Sequence, residues 1–233
     1  SSSVRRDRFI YMSPVMSPPP LSSIEAEFAA RCDRDHARVC GDTRPPGLLR
    51  RLWLWRDERL VRQALKVAGE PGLVLDLACG AGRFWPLLAD HSNRVILASD
   101  ASQVMLDHAQ SHHGAAFLRR IKTFQGSAFS IGLSANAVDC IFCLELFRHV
   151  PTADARLALL REFHRVSRDT VIVSVDSDSR HRQRHPAGAG QPVLAHRSEV
   201  EAEFRQAGFT VLNQQEFMPG SALWRVYVLR KRG

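Results

Sequence analysis

Residues 73–84, LVLDLACGAGRF, decide the fold. An apolar run leads into Asp76, and the chain then becomes small at Ala78, Cys79, Gly80, Ala81 and Gly82. A short apolar run closed by glycines reads as a strand feeding a tight turn. The next stretch, RFWPLLADH (83–91), reads as a helix with Pro86 tolerable in its first turn. Strand, glycine turn and helix open a parallel sheet, and ligands of such sheets bind beyond the C-terminal strand ends. Glycine at 80 and 82 lets the backbone turn sharply and approach a ligand closely.

The same stretch excludes two common ligands. A dinucleotide fingerprint needs G-x-G-x-x-G, and counting from Gly80 the third glycine falls on Trp85. A phosphate loop needs Gly-Lys-Ser/Thr, whereas Gly82 is followed by Arg83 and Phe84. Asp76 at the mouth of the turn would repel a pyrophosphate and welcome an amino group. Asp100 ends the next strand-like run, where a carboxylate can accept from both hydroxyls of a ribose. Asp100 alone also fits a cap for the helix that follows; a plain turn at the glycines does not explain the two aspartates together. The expected ligand has a ribose, a positive group near the glycines, and no phosphate.

Outward from this stretch the rhythm is regular. Strands are expected at 72–78, 94–100, 121–126, 137–146 and 170–176. Helices are expected at 83–91, 102–113, 152–167 and 197–208, the last capped by Ser198 and stopped by Gly208. Two final strands, 209–217 and 222–231, are joined through MPGS (218–221), which makes one strand antiparallel. The fold class is therefore α/β: a three-layer Rossmann-like sandwich around a mostly parallel seven-stranded sheet. Ahead of it stand a Pro/Ser-rich tail (1–23) and two helices (22–40 and 48–69) read as an N-terminal helical cap over 24–69. The domain itself covers 70–233, with a long substrate-side loop at 177–195.

Composition is that of a globular chain, with 45% hydrophobic and 24% charged residues among 233. No apolar run is long enough for a membrane span, no secretory signal pattern is read, and the odd set of cysteines without a disulfide framework points to a reducing cytoplasmic setting. A net charge of +8 favours anionic partners or a merely basic surface. Five cysteines show no disulfide pattern. Cys140 and Cys143 lie three apart on a strand and point to opposite faces, so they read as core thiols. Cys32, His36 and Cys40 are spread over two helical turns, too far for one ion; no metal is expected.

VLDLACGAGRF, ILASDASQVMLDHAQ, FQGSAF, AVDCIFCLELFRHV and LLREFHRVSRDTVIVSV, in this order, resemble successive motifs of the class I S-adenosylmethionine-dependent methyltransferases. The nearest group is the broad type 11 subgroup, rich in small-molecule enzymes. S-adenosylmethionine meets all three ligand requirements. The resemblance implies that Asp76 holds the methionine amino group and that Ala78, Gly80 and Gly82 border the methionine. It further implies that Asp100 binds the ribose, and that Ala101 and Met105 border the adenine. Ser127 stands where the family often has Asp, so the adenine amine meets a weaker acceptor, while Ala128 can present its N–H. Ala78 in place of the first glycine reads as a mild change. Leu144, just past the fourth strand, is assigned to the cofactor side.

The acceptor site is expected past that strand, at CLELFRHVP (143–151). His149 is the best candidate for a general base and Glu145 the second catalytic candidate; a positioning or packing role for His149 stands beside this, since many members of the family need no base. LELF (144–147) lacks the D/N-P-P-Y/F pattern of enzymes that methylate exocyclic base amines. Arg180, His181, Arg182, Arg184 and His185 could clamp an anionic group on the acceptor. The expectation is methyl transfer to a small or lipid-like, anionic-tolerant acceptor by a monomer or homodimer. An RNA or protein methyltransferase and a non-catalytic S-adenosylmethionine-binding module are the alternatives. LLRRLWLWRDERLVR (48–62) mixes tryptophan and arginine as interfacial helices do, which leaves open a peripheral membrane contact or packing on its own domain.

Overall fold

A computed structural model describes residues 47–175, 196–216 and 224–233, together with Ala26 and Ala30. The strands are β1 (Leu73–Leu77), β2 (Val95–Asp100), β3 (Ile121–Gln125), β4 (Val138–Cys143), β5 (Ser167–Val175), β6 (Phe209–Glu216) and β7 (Arg225–Lys231). They form one seven-stranded sheet in the order β3-β2-β1-β4-β5-β7-β6. The first five run parallel, and β7 runs antiparallel to both β5 and β6. The chain thus starts in the middle of the sheet, winds one way to β3, then crosses to β4 on the other side. That reversal between β1 and β4 leaves a crevice at their C-terminal ends.

Period-two alternation along the strands divides the core between two faces. Val74, Ile96, Cys140, Phe142, Ile172, Val226 and Val228 face α1 (Leu48–Val67), α2 (Trp85–Ala89) and α3 (Gln103–Ser111). Leu75, Leu97, Ile141, Cys143, Val171, Val173, Tyr227 and Leu229 face α5 (Ala153–Val166) and α6 (Arg197–Gln206). A short α4 (Ala115–Leu118) precedes β3. Each fully buried Leu, Ile, Val or Phe contributes roughly 1.5–3 kcal/mol, so both layers are firmly held. Cys140 and Cys143 fall on opposite faces, both fully buried.

Several boundaries differ from those read in the sequence, for identifiable reasons. The helix expected at 83–91 spans only Trp85–Ala89, because Gly82 and its neighbours are engaged in tight turns. α6 begins at Arg197 rather than after a Ser198 cap, since Glu199 accepts from the His196 N–H at 3.2 Å. β5 starts at Ser167, directly after α5, because Ser167 pairs with Val138 and Arg168 reaches Asp139 at 2.6 Å. α1 is more than a cap: Leu60, Val61, Ala64, Leu65 and Ala68 belong to the core. Its tryptophans divide, Trp53 packing on the core and Trp55 remaining 51% exposed. Apart from Ala26 and Ala30, which are helical, the expected tail, the 22–40 helix, the 177–195 loop and the 218–221 turn lie outside the described residues.

Candidate active site

The C-terminal ends of β1, β2, β3 and β4 lie side by side and carry Ala78–Gly82, Asp100–Ala101, Gly126–Ala128 and Leu144–His149. After β1 the backbone enters left-handed space three times, at Ala78 (φ 57°), Gly80 (φ 53°) and Gly82 (φ 70°). The Gly82 N–H donates to the Cys79 carbonyl at 3.0 Å, and the Trp85 N–H to the Gly82 carbonyl at 3.1 Å. A Cβ on Gly82 would lie 2.6 Å from the indole of Trp85. Gly82 therefore has a packing reason to be glycine. Ala78 was read as a mild replacement; its positive φ makes it a strained one, since an L side chain pays roughly 1–2 kcal/mol there.

Three carboxylates meet at this edge. Asp76 is buried, and one oxygen accepts from the Trp85 indole N–H at 3.1 Å. The residue at the position a dinucleotide loop would give to glycine is thus the direct partner of Asp76. Burial pushes Asp76 up from 3.8 to about 8; the indole bond opposes this, and the nearby Asp100 and Glu145 charges add to it. Asp100, also buried, accepts from the Gly80 N–H at 2.8 Å and from the Ser102 N–H at 2.9 Å. Ser102, not Asp100, caps α3, its hydroxyl accepting from the Met105 N–H at 3.2 Å. Burial and the same two aspartates hold the Cys79 thiol well above its usual range.

Leu77, Ala78, Asp100, Ala101, Gly126, Ala128 and Leu146 line a small cleft of about 20 Å³ between these loops. Met105 is buried beside it, its methyl 3.8 Å from where a Cβ of Gly80 would stand. Ser127 is buried, and its hydroxyl accepts from the Phe129 N–H at 3.1 Å, so an adenine amine would share it. Leu144 is buried, with its carbonyl taking a hydrogen bond from Ser174. The Ser99 hydroxyl, buried next to Gly126, has no hydrogen-bond partner among the described residues. In chemistry this set fits S-adenosylmethionine: carboxylates for its cationic and hydroxyl groups, small residues against its chain, and no basic side chain among the described residues lining the cleft. In volume the cleft is closed, since ligands of that size occupy a few hundred Å³. The Gly80 N–H to Asp100 hydrogen bond spans one side of it.

Residues 74–170, from β1 into β5, match the family model described as "Methyltransferase domain". Those residues of this chain form a methyltransferase domain. The fold is shared with many solved structures. Magnesium protoporphyrin IX methyltransferase from Synechocystis PCC 6803, with bound SAH, superposes with a TM-score of 0.68 at 17% identity, over 89% of this chain and 98% of that one. A SAM-dependent methyltransferase from Aquifex aeolicus gives 0.59 at 21%, over 78% and 92%. The [4+2]-cyclase SpnF gives 0.61 at 16%, over 75% and 81%. No curated protein matches in sequence.

Past the end of β4, Glu145 precedes a 3₁₀ turn, Phe147–His149, and His149 is the last residue of that turn. Glu145 is half exposed and sits between two guanidiniums, Arg83 at 3.6 Å and Arg148 at 3.7 Å. His149 is half-buried, and its N–H donates to the Leu146 carbonyl at 2.9 Å. Arg156 holds the turn from behind: it donates to the Val150 and Pro151 carbonyls and makes a buried two-pronged pair with Glu203 of α6 at 2.6 and 2.8 Å. The sequence reading missed Asp57 and Arg83, which pair with each other and fasten α1 to the glycine turn. Asp57 was findable, because it occupies the same helical face as Leu60, Val61 and Ala64, where a lone acid needs a partner. Gly126, Leu77 and Leu146 were also missed; each is simply the neighbour of a residue that was named.

Proposed function

We propose that this methyltransferase acts on a small or lipid-like acceptor and that Asp76, Asp100 and Glu145 set the charge of its cofactor cleft. The observation carrying this reading is the convergence of three carboxylates on one strand-end cleft, one of them buried deeply enough to reach about 8. Such a site is stabilised by a ligand bringing positive charge. S-adenosylmethionine supplies a methyl group on a sulfonium, open to in-line displacement by a nucleophile. Asp76 would face the amino group, Asp100 the ribose hydroxyls, and Ala101, Met105, Ser127 and Ala128 the adenine. Leu144 and Leu146 would close the cleft against water, which keeps the displacement dry. His149 would take the proton from a hydroxyl acceptor, and Glu145 with Arg83 and Arg148 would fix the mouth.

Two measurements test the reading. Thermal-shift titration with S-adenosylmethionine and S-adenosylhomocysteine should stabilise the chain by about 2.7 kcal/mol at a hundredfold excess over Kd. No shift with either compound sinks the cofactor assignment. Asp100→Ala should weaken binding by roughly 1.5–3 kcal/mol, the worth of hydrogen bonds to a charged group. The related fold of a [4+2]-cyclase makes a third check worthwhile: loss of labelled methyl from the cofactor to an acceptor extract must depend on His149 or Glu145.

A further inference from the structure

The outer face of α1 is unlike the rest of the surface. At about 100° per residue, Leu48, Leu52 and Trp55 fall within an arc of about 60°. All three face solvent, at 81%, 52% and 51% exposure. The arc continues down the helix with Arg59 and Lys66, and Arg51 lies at its side; these three are exposed as well. Arg62 shares the arc and pairs with Asp90 at 2.6 Å, and Glu58 is the acid at its edge, so positive charge remains in excess. The Arg59 guanidinium stands 5.4 Å from the centre of the Trp55 ring. Beside the arc, a groove of about 440 Å³ runs between α1 and the end of β6, lined by Arg56, Arg59, Leu60, Gln63, Gln215 and Glu216. It lies four strands from β1 and is separate from the cleft described above. No described helix is long and apolar enough to cross a membrane.

We infer that the outer face of α1 docks on an anionic lipid bilayer. An apolar ridge with a tryptophan, rimmed by arginine and lysine, buries its ridge at the acyl boundary while the cations meet the headgroup phosphates. The Trp55–Arg59 pair suits that boundary, with the ring below the phosphates and the guanidinium among them. The groove offers guanidinium and amide donors to a headgroup next to the ridge. The charge of the whole chain, +8, has the sign that an anionic surface attracts. The inner face of the same helix carries Asp57, paired with Arg83 of the glycine turn, so docking would bring the membrane close to the catalytic edge. The inference stands apart from methyl transfer and is tested without a substrate.

The full chain is sedimented with vesicles of phosphatidylcholine alone and with vesicles that also contain phosphatidylglycerol, while tryptophan emission is followed. Binding to the anionic vesicles should be at least about tenfold tighter, fall with added salt, and shift the emission to the blue. The double variant Leu52→Glu/Trp55→Glu should lose at least about tenfold in vesicle binding, and Arg51→Glu/Lys66→Glu a comparable amount. Both variants change exposed positions and should keep the melting temperature of the parent. Equal binding to both vesicles, no binding to either, or vesicle binding untouched by Leu52→Glu/Trp55→Glu overturns the proposal. So does tight binding of a single-stranded RNA oligonucleotide that these variants abolish while vesicles bind no better than neutral ones.

Discussion

Asp76 is a carboxylate placed where its own charge is unwelcome, and this has a consequence for pH. Its folded value of about 8 exceeds the ordinary 3.8 because burial penalises the anion, with Asp100 and Glu145 adding repulsion. The folded state therefore keeps a proton that the unfolded chain releases above about 4. The contribution of Asp76 to stability is most favourable below that point, falls as pH rises, and levels off above about 8. Melting temperatures of the parent and of Asp76→Asn, compared from about pH 5 to about pH 8.5, which covers most of that fall, should diverge accordingly: the parent loses stability relative to the variant as pH rises. A ligand ammonium group beside Asp76, as proposed above, would reverse the penalty, so binding of S-adenosylhomocysteine near neutral pH should release protons, and calorimetry in buffers of different ionisation enthalpy would show it. The next residue but one, Ala78, offers a separate test. Ala78→Gly removes the left-handed penalty but loosens the unfolded chain by about 0.4–1 kcal/mol, so a net gain of up to about 1 kcal/mol is expected in urea denaturation.

At the scale of elements, α1 and the glycine turn act as one unit. Asp57 has a side chain only 6% exposed, and Arg83 is its cation, also reaching Glu145 across the mouth of the site. Arg83→Gln strands a buried carboxylate and should cost on the order of 3 kcal/mol in denaturant unfolding. Asp57→Asn should cost less, because Arg83 is a third exposed and keeps water and Glu145 as partners. The double variant should cost less than the two singles together, since each alone leaves the other uncompensated. Additive costs would mean that the two residues act separately. This coupling was not legible in the sequence, where Arg83 counted only as a failed phosphate-loop lysine. The β1 strand, the glycine turn and both aspartates were legible, because strand ends and small residues leave local signals. Helix ends were less so: α2 and α6 are bounded by hydrogen bonds to Gly82 and Glu199, whose geometry no periodicity encodes.

For the whole molecule, the alternation of strands and helices was enough to predict a mostly parallel sheet with one reversed strand, since neither hydrophobic face can stay in water. What the alternation could not supply was where Asp100 points, and it accepts from the Gly80 N–H. The two-faced core also orders the described thiols by depth. Cys140 and Cys143 lie at the centre of opposite layers, and burial pushes the Cys140 thiol up to about 12. Cys79 lies on the glycine turn at 9% exposure, packed with the α1–α3 layer of the core. Thiolate is the reactive form, so none should label readily in the closed native state. The routes to labelling differ, however. Cys140 and Cys143 sit on central strands and need both layers to come apart, which is global unfolding, whereas Cys79 sits on a loop, where local opening costs less. In a Cys32→Ser/Cys40→Ser background, thiol labelling under native conditions should therefore be biphasic, with Cys79 faster and the other two slow and equal. If S-adenosylhomocysteine borders the glycine turn as proposed, saturating it should slow the fast phase far more than the slow one. Mass spectrometry of the labelled peptides checks the assignment; a single phase for all three thiols would mean that the glycine turn opens only when the sheet does.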